Sequence, residues 1–215
     1  MDWFRQVDVY CERADASFWA EPLNAITNIA FLIAAGLIAL SLAKARPADL
    51  PAWILTGLVA VIGVGSFLFH TLATRWALLA DVLPISIFIY SYLFLAMRRF
   101  FGFRIISAIG IVVVFGVISY WWGEPLSFAF GSTGSYVPAF LAMVITGLAL
   151  LGKEAGTALG LFGAAAVFAV SMSFRMLDAP VCAEFPHGTH FIWHILNATT
   201  LYILLRVFVR ARERG

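Results

Sequence analysis

The sequence predicts an all-α fold: a bundle of seven transmembrane helices with the N-terminus outside and the C-terminus cytoplasmic. Three observations carry this. Hydrophobic residues make up 62% of the chain and charged ones only 12%, with a mean hydropathy of +0.94, whereas a soluble domain is about half apolar and a quarter charged. Seven apolar stretches approach the roughly 20 residues that cross a bilayer as a helix. The basic residues between them are strongly one-sided.

The first stretch, Asn24–Ala43, follows an acidic extramembrane segment, residues 1–23. That segment lacks the basic stub and apolar core of a cleavable signal peptide, so insertion is expected to begin with the first span. The second span, Ala52–His70, ends on a histidine, and the third, Trp76–Met97, carries Asp81 near its start. The fourth, Arg104–Trp122, ends on Trp121 and Trp122, which with Tyr136 suit an interfacial belt. The fifth, Tyr136–Leu151, is the shortest. The sixth, Thr157–Arg175, holds Gly163-Ala164-Ala165-Ala166, small residues that allow close helix packing. The seventh, Thr189–Phe208, opens with His190 and His194 and leads into a basic tail. Pro47, Pro51, Gly102, Pro125, Gly152, Gly156, Pro180 and Pro186 fall in the breaks, where helix-ending residues belong. The loops are too short for a soluble domain, so one integral-membrane domain is expected over residues 1–215.

With seven spans, Lys44, Arg46, Arg98, Arg99, Arg104, Lys153, Arg206, Arg210, Arg212 and Arg214 fall on one side, and Arg5, Arg13, Arg75 and Arg175 on the other. The positive-inside tendency makes the first side cytoplasmic. The net charge of +2 therefore reads as topology rather than nucleic-acid binding, and the tail can also touch anionic headgroups. Cys11 and Cys182 both fall outside, where an oxidising compartment permits a disulfide.

Three of the four histidines lie where a membrane-buried metal site needs them. Ionisable groups inside membrane spans usually mark a site. His190 and His194 are four apart on a helix and face the same way; His70 ends the second span at the same depth, and Asp81 shares that level. Any one of them alone would read as a helix-packing hydrogen bond, or for Asp81 as a partner of Arg75 or Arg175. As a set they read as a metal site, because three imidazoles leave zinc a fourth position open to water or substrate; iron and manganese sites usually add a carboxylate. His187, in a Pro-Gly loop, reads as a loop residue. Asp8, Glu12, Asp15 and Glu21 gather acidic oxygens that suit calcium or, equally, an ordinary solvated face.

Gly65-Ser66-x-x-Phe69-His70, Asp81-x-x-Pro84 and His190-x-x-x-His194, with Cys11-Glu12, Glu21-x-x-Asn24-x-x-x-Asn28 and Asp178-x-x-x-Cys182, together resemble the alkaline ceramidase family. That family lies within the seven-helix hydrolase superfamily that includes adiponectin and progestin receptors. The resemblance implies a ceramidase-like amidase with zinc held by His70, His190 and His194, and with Ser66 and Asp81 beside the metal. It also implies a Cys11–Cys182 disulfide and a calcium site built from Glu12, Glu21 and the backbone carbonyl of Tyr10. Val9 and Ala14 stand where the family pattern has acidic and Asn ligands, so Asp8 and Asp15, each one residue away, are the shifted replacements.

The expected function is therefore zinc-dependent hydrolysis of a ceramide-like lipid to a fatty acid and a sphingoid base, with Asp81 as base then acid and Ser66 as oxyanion donor. The compact size points to a bacterial inner-membrane protein with the metal site toward the periplasm. Two rivals stay open: a seven-helix lipid receptor or binding protein with a structural metal, and a hydrolase of another N-acyl lipid or an ester. Neither an inverted repeat nor paired broken helices speak for a transporter.

Overall fold

Backbone buried in hydrocarbon must satisfy its own hydrogen bonds, so apolar stretches of this length become helices. The computed structural model of the chain describes residues 2–44 and 47–213; Arg46 and Arg214, two of the cations used for orientation, lie outside them. The helices are α1 (Pro22–Thr27), α2 (Ile29–Leu42), α3 (Leu50–Leu72), α4 (Arg75–Phe101), α5 (Ile105–Phe130), α6 (Val137–Leu150), α7 (Ala155–Leu177) and α8 (His190–Glu213). α1 and α2 form one span interrupted at Asn28, and short 3-10 turns at Gly131–Tyr136 and Ala179–Val181 precede α6 and follow α7. Seven helices are long and apolar enough to cross a membrane, as expected. Among the described residues there is no strand, only an isolated bridge between Gln6 and Thr74.

Two boundaries differ from expectation. Pro125, read as a break, lies inside α5, which runs on to Phe130. Membrane helices tolerate an internal proline because its freed carbonyl finds other partners. The first span is broken by a polar step, where Asn28 donates its side-chain amide to the Asn24 carbonyl (2.8 Å).

α3 packs most extensively on α4 and α7 on α8, while α8 against α2 closes the ring. Ile38, Leu42, Leu55, Ile62, Leu161, Leu205 and Phe208 are fully buried between them. α5 is peripheral, with Ala108 as its one buried residue among those described.

The two ends of the bundle are closed differently. At the end away from the histidines, Asp49 caps α3 by accepting from Ala52 N–H. Arg99 reaches across from α4, donating to both Asp49 oxygens (2.8 and 2.9 Å) and to the Phe208 carbonyl (3.0 Å). At the histidine end the N-terminal segment lies over the α3–α4 connection: Val7 N–H bonds the Ala73 carbonyl, and Arg75 and Trp76 N–H bond Arg5 and Trp3 carbonyls. A Cys11–Cys182 disulfide fastens this strap to the loop before α8.

Candidate metal centre

Ser66 and His70 sit one turn apart near the end of α3, so both face the same side. They meet α4 through a close crossing. Gly65 lies against Ala80, where a Cβ would run into the Ala80 carbonyl oxygen and come within 2.8 Å of its carbon. Pro84 has no N–H to offer that carbonyl four residues back. The motif glycine and proline thus serve one contact, which sets Ser66 and Asp81 in the wall of one chamber.

α8 begins at the other two histidines, and Asp178 fixes that start. Its buried carboxylate accepts from the backbone N–H of Thr189 (2.7 Å) and His190 (2.9 Å), and from Cys11 in the strap (3.1 Å). Gly188, just before, has φ +60°, and a Cβ there would strike Asp178 Oδ1 and sit 2.7 Å from the Cys11 Cβ; only glycine suits this place.

His70, His190 and His194 are at most 1% exposed, and one ring nitrogen from each lies within 4.8 Å of the others. Their centroids are 4.6 to 5.2 Å apart. Glu21 accepts from His70 Nδ1 (2.6 Å). Thr27 spends its hydroxyl proton on the Leu23 and Asn24 carbonyls, so it must accept from His194 Nδ1 (3.0 Å). Both rings are thereby held as the tautomer whose Nε2 lone pair is free. These Nε2 atoms and His190 Nδ1 are buried with no hydrogen-bond partner. Buried polar atoms are ordinarily paired, and a carboxylate or hydroxyl behind an imidazole is the usual outer shell of a metal ligand. The trio could hold a metal ion.

Tyr10 from the strap stacks on His190, centroids 3.7 Å apart, and its hydroxyl accepts from Arg175 (2.9 Å). Burial pushes this phenol up to about 12 against the pull of Arg175, so it stays protonated. Ser66, Asp81, Tyr10, Arg175, His190 and His194 line one chamber of about 30 Å³. It shares Ile62, Ile85, Tyr136 and Asn197 with a narrow apolar cavity of about 70 Å³ between α4, α6, α7 and α8.

The expected calcium ligands are not brought together. Asp8 and Asp15 are exposed, and the Asp15 carboxylate accepts from Ser17 N–H instead, with the Ser17 side chain and then that N–H holding it below the usual 3.8. Glu12 spends both oxygens on the N–H groups of Leu23 (2.7 Å) and Asn24 (2.8 Å), satisfying the donors that open α1. The Tyr10 carbonyl accepts from Arg13 N–H. Burial pushes Glu21 up, but bonds from His70, Asn24 and Arg13 outweigh it and hold it below the usual 4.5. Among the described residues the histidine trio is the one His, Cys, Asp and Glu group within ligand range. His187 is an exposed loop residue, as read. Sequence reading missed Thr27 and used Arg13 only for topology. The signal for Arg13 was its place as the one cation in an acidic run from Asp8 to Glu21.

Comparison with known protein families matches residues 9–213 to the family described as Ceramidase. A search of curated proteins finds no match.

Proposed function

The chain belongs to the ceramidase family, and on that premise we propose that it is a zinc-dependent amidase releasing a fatty acid and a sphingoid base from a ceramide-like lipid. One observation carries this: three buried imidazoles with unpartnered nitrogens bring one ring nitrogen each within 4.8 Å of one another, two of the rings line a polar chamber with Ser66 and Asp81, and that chamber shares wall residues with an apolar cavity. His70, His190 and His194 would hold the zinc. When bound, zinc polarises a carbonyl and brings the pKa of a water toward neutrality.

The protein's own groups do the rest. Asp81 accepts the proton given up by the attacking water and delivers one to the amine nitrogen as the C–N bond breaks, serving as base and then acid. Ser66 donates its hydroxyl to the oxygen on which negative charge gathers. Tyr10 and the strap shield the chamber from bulk water. The acyl chain lies in the apolar cavity, entered sideways from the bilayer. The disulfide supports an oxidising compartment at the histidine end, in keeping with the basic residues at the other.

The test is zinc content together with fatty-acid release from a labelled ceramide. His194→Ala is expected to lose both. Asp81→Asn should keep zinc and lose about 10²- to 10⁴-fold in turnover, the usual contribution of a general base. Hydrolysis persisting in Asp81→Asn would remove Asp81 from that role. Zinc bound without hydrolysis of ceramides or N-acyl amines would favour a receptor-like protein.

A further inference from the structure

We propose that the guanidinium of Arg13 is a built-in cation standing where the family resemblance places calcium, and that it positions His70. Calcium collects six to eight oxygens with lone pairs to spare. In this segment each such oxygen already accepts from an N–H donor: both Glu12 oxygens from backbone amides, the Tyr10 carbonyl from Arg13 N–H, and both Glu21 oxygens from side chains. Arg13 and Glu21 side chains are each 3% exposed. The guanidinium offers a rigid fork of donors and uses it on three oxygens: Nε to Glu21 (2.6 Å), Nη1 to the Asp15 carbonyl (3.1 Å) and Nη2 to the His70 carbonyl (3.0 Å). One carboxylate and two carbonyls are an oxygen set of the kind a cation gathers, and here a side chain gathers it.

The arrangement grips His70 twice. Arg13 holds the backbone carbonyl of His70, one of the groups left without a helical partner at the end of α3. It also fixes Glu21, whose other oxygen accepts from the His70 ring (2.6 Å). Arg13 is thus a positioning residue acting on a metal ligand, which rests on the zinc reading above, while the claim that no calcium is needed does not.

Two experiments on the full chain in detergent test this. Zinc-loaded wild-type protein is titrated with calcium, with magnesium as control, following thermal midpoint and bound radiolabelled calcium. No calcium-specific shift and no stoichiometric binding are expected. A midpoint that climbs with calcium, as mass action demands of a native-state ligand, overturns the built-in cation. Zinc affinity of Arg13→Ala is then measured by competition with a chromophoric chelator. Loss of a partner behind a ligand typically weakens metal binding about 10- to 100-fold, and that fall is expected; wild-type affinity overturns the positioning role. Should Arg13→Ala not fold, Arg13→Lys, which keeps the charge and loses the fork, is read in the same way. Wild-type protein that takes up no zinc would sink the metal reading and leave the calcium titration decisive for the cation.

Discussion

Gly65→Ala is the sharpest perturbation of the proposed catalytic geometry that leaves every polar group in place. A methyl group at residue 65 would meet the backbone of Ala80, with the carbonyl carbon at 2.8 Å and Asp81 N at 3.3 Å, where ordinary contact begins near 3.4 Å. The atoms struck are main chain, so no rotamer change relieves the clash and α3 must draw back from α4. Overpacking of this kind costs about 1–3 kcal/mol. The kinetic effect should be larger, because Ser66 and Asp81 are the next residues on the two helices, and a displacement of about 1 Å at a reacting centre can cost about 10²-fold. The histidines are held by other contacts: His70 by Glu21, His194 by Thr27 and the start of α8 by Asp178. The expected result is therefore a fall of about 100-fold in kcat with zinc retained. The assay pairs fatty-acid release with zinc per chain. Gly57→Ala, on the same helix with nothing within 4 Å of the added methyl, is the control. Wild-type turnover in Gly65→Ala would refute the idea that this crossing sets Ser66 against Asp81.

Two further outcomes follow from the ends of the bundle. Asp178→Ala leaves three backbone N–H groups without their acceptor; at about 1–3 kcal/mol for an unsatisfied buried donor, the protein should melt well below wild type and bind zinc more weakly as the start of α8 frays. Thermal scans with and without zinc check this, and an unchanged midpoint would contradict it. At the opposite end, burial raises the Asp49 carboxyl, but the hydrogen bonds and charge of Arg99 outweigh it and hold it below the usual 3.8. A group depressed in the folded state stabilises fully above its unfolded value and loses that contribution as pH falls through the folded one. Asp49→Asn should therefore be less stable than wild type at neutral pH, with the gap closing below pH 3.8; a gap that persists in acid would mean that charge is not what Asp49 contributes.

The spans were legible because bilayer thickness imposes a length on apolar runs, and proline and glycine mark most of their ends. The grouping of three histidines was legible because His190 and His194 repeat at helical spacing and His70 falls at a matching depth. What holds the trio was not. Glu21 meets His70 across 49 residues and Arg13 meets its carbonyl across 57, distances at which no local pattern operates. Thr27 acts through an unremarkable hydroxyl inside a span. The family likeness pointed to calcium through Glu12 and Glu21, but Glu12 takes the N–H groups that open α1 and Glu21 takes Arg13 and His70, so the proposed positive charge comes from Arg13, between them in sequence. Spacing reports which residues share a face; which lone pairs are already spent is decided by the tertiary packing.

Access to the chamber follows from the same packing. The strap is bridged at Thr74, disulfide-bonded at Cys182 and stacked on His190 through Tyr10, so the aqueous side of the site is covered by chain that cannot swing away without breaking these ties. The apolar cavity instead runs along α4 from Ile85 to Ala96, about 16 Å at the helical rise per residue, and its far wall includes Phe115 of the peripheral α5. A helix with one buried residue among those described is the element least resisted by packing when it moves, whereas α3, α4, α7 and α8 are bound together by the core and by the Arg99–Asp49–Phe208 knot. On the proposed function, a lipid therefore enters tail first past α5, and its amide comes to rest at the polar end because that is where the cavity stops being apolar. Chain length is then read by the cavity floor near Ala96 and Leu204, at a distance from the chemistry, and changes there alter which acyl chains are accepted without touching the groups that cleave them.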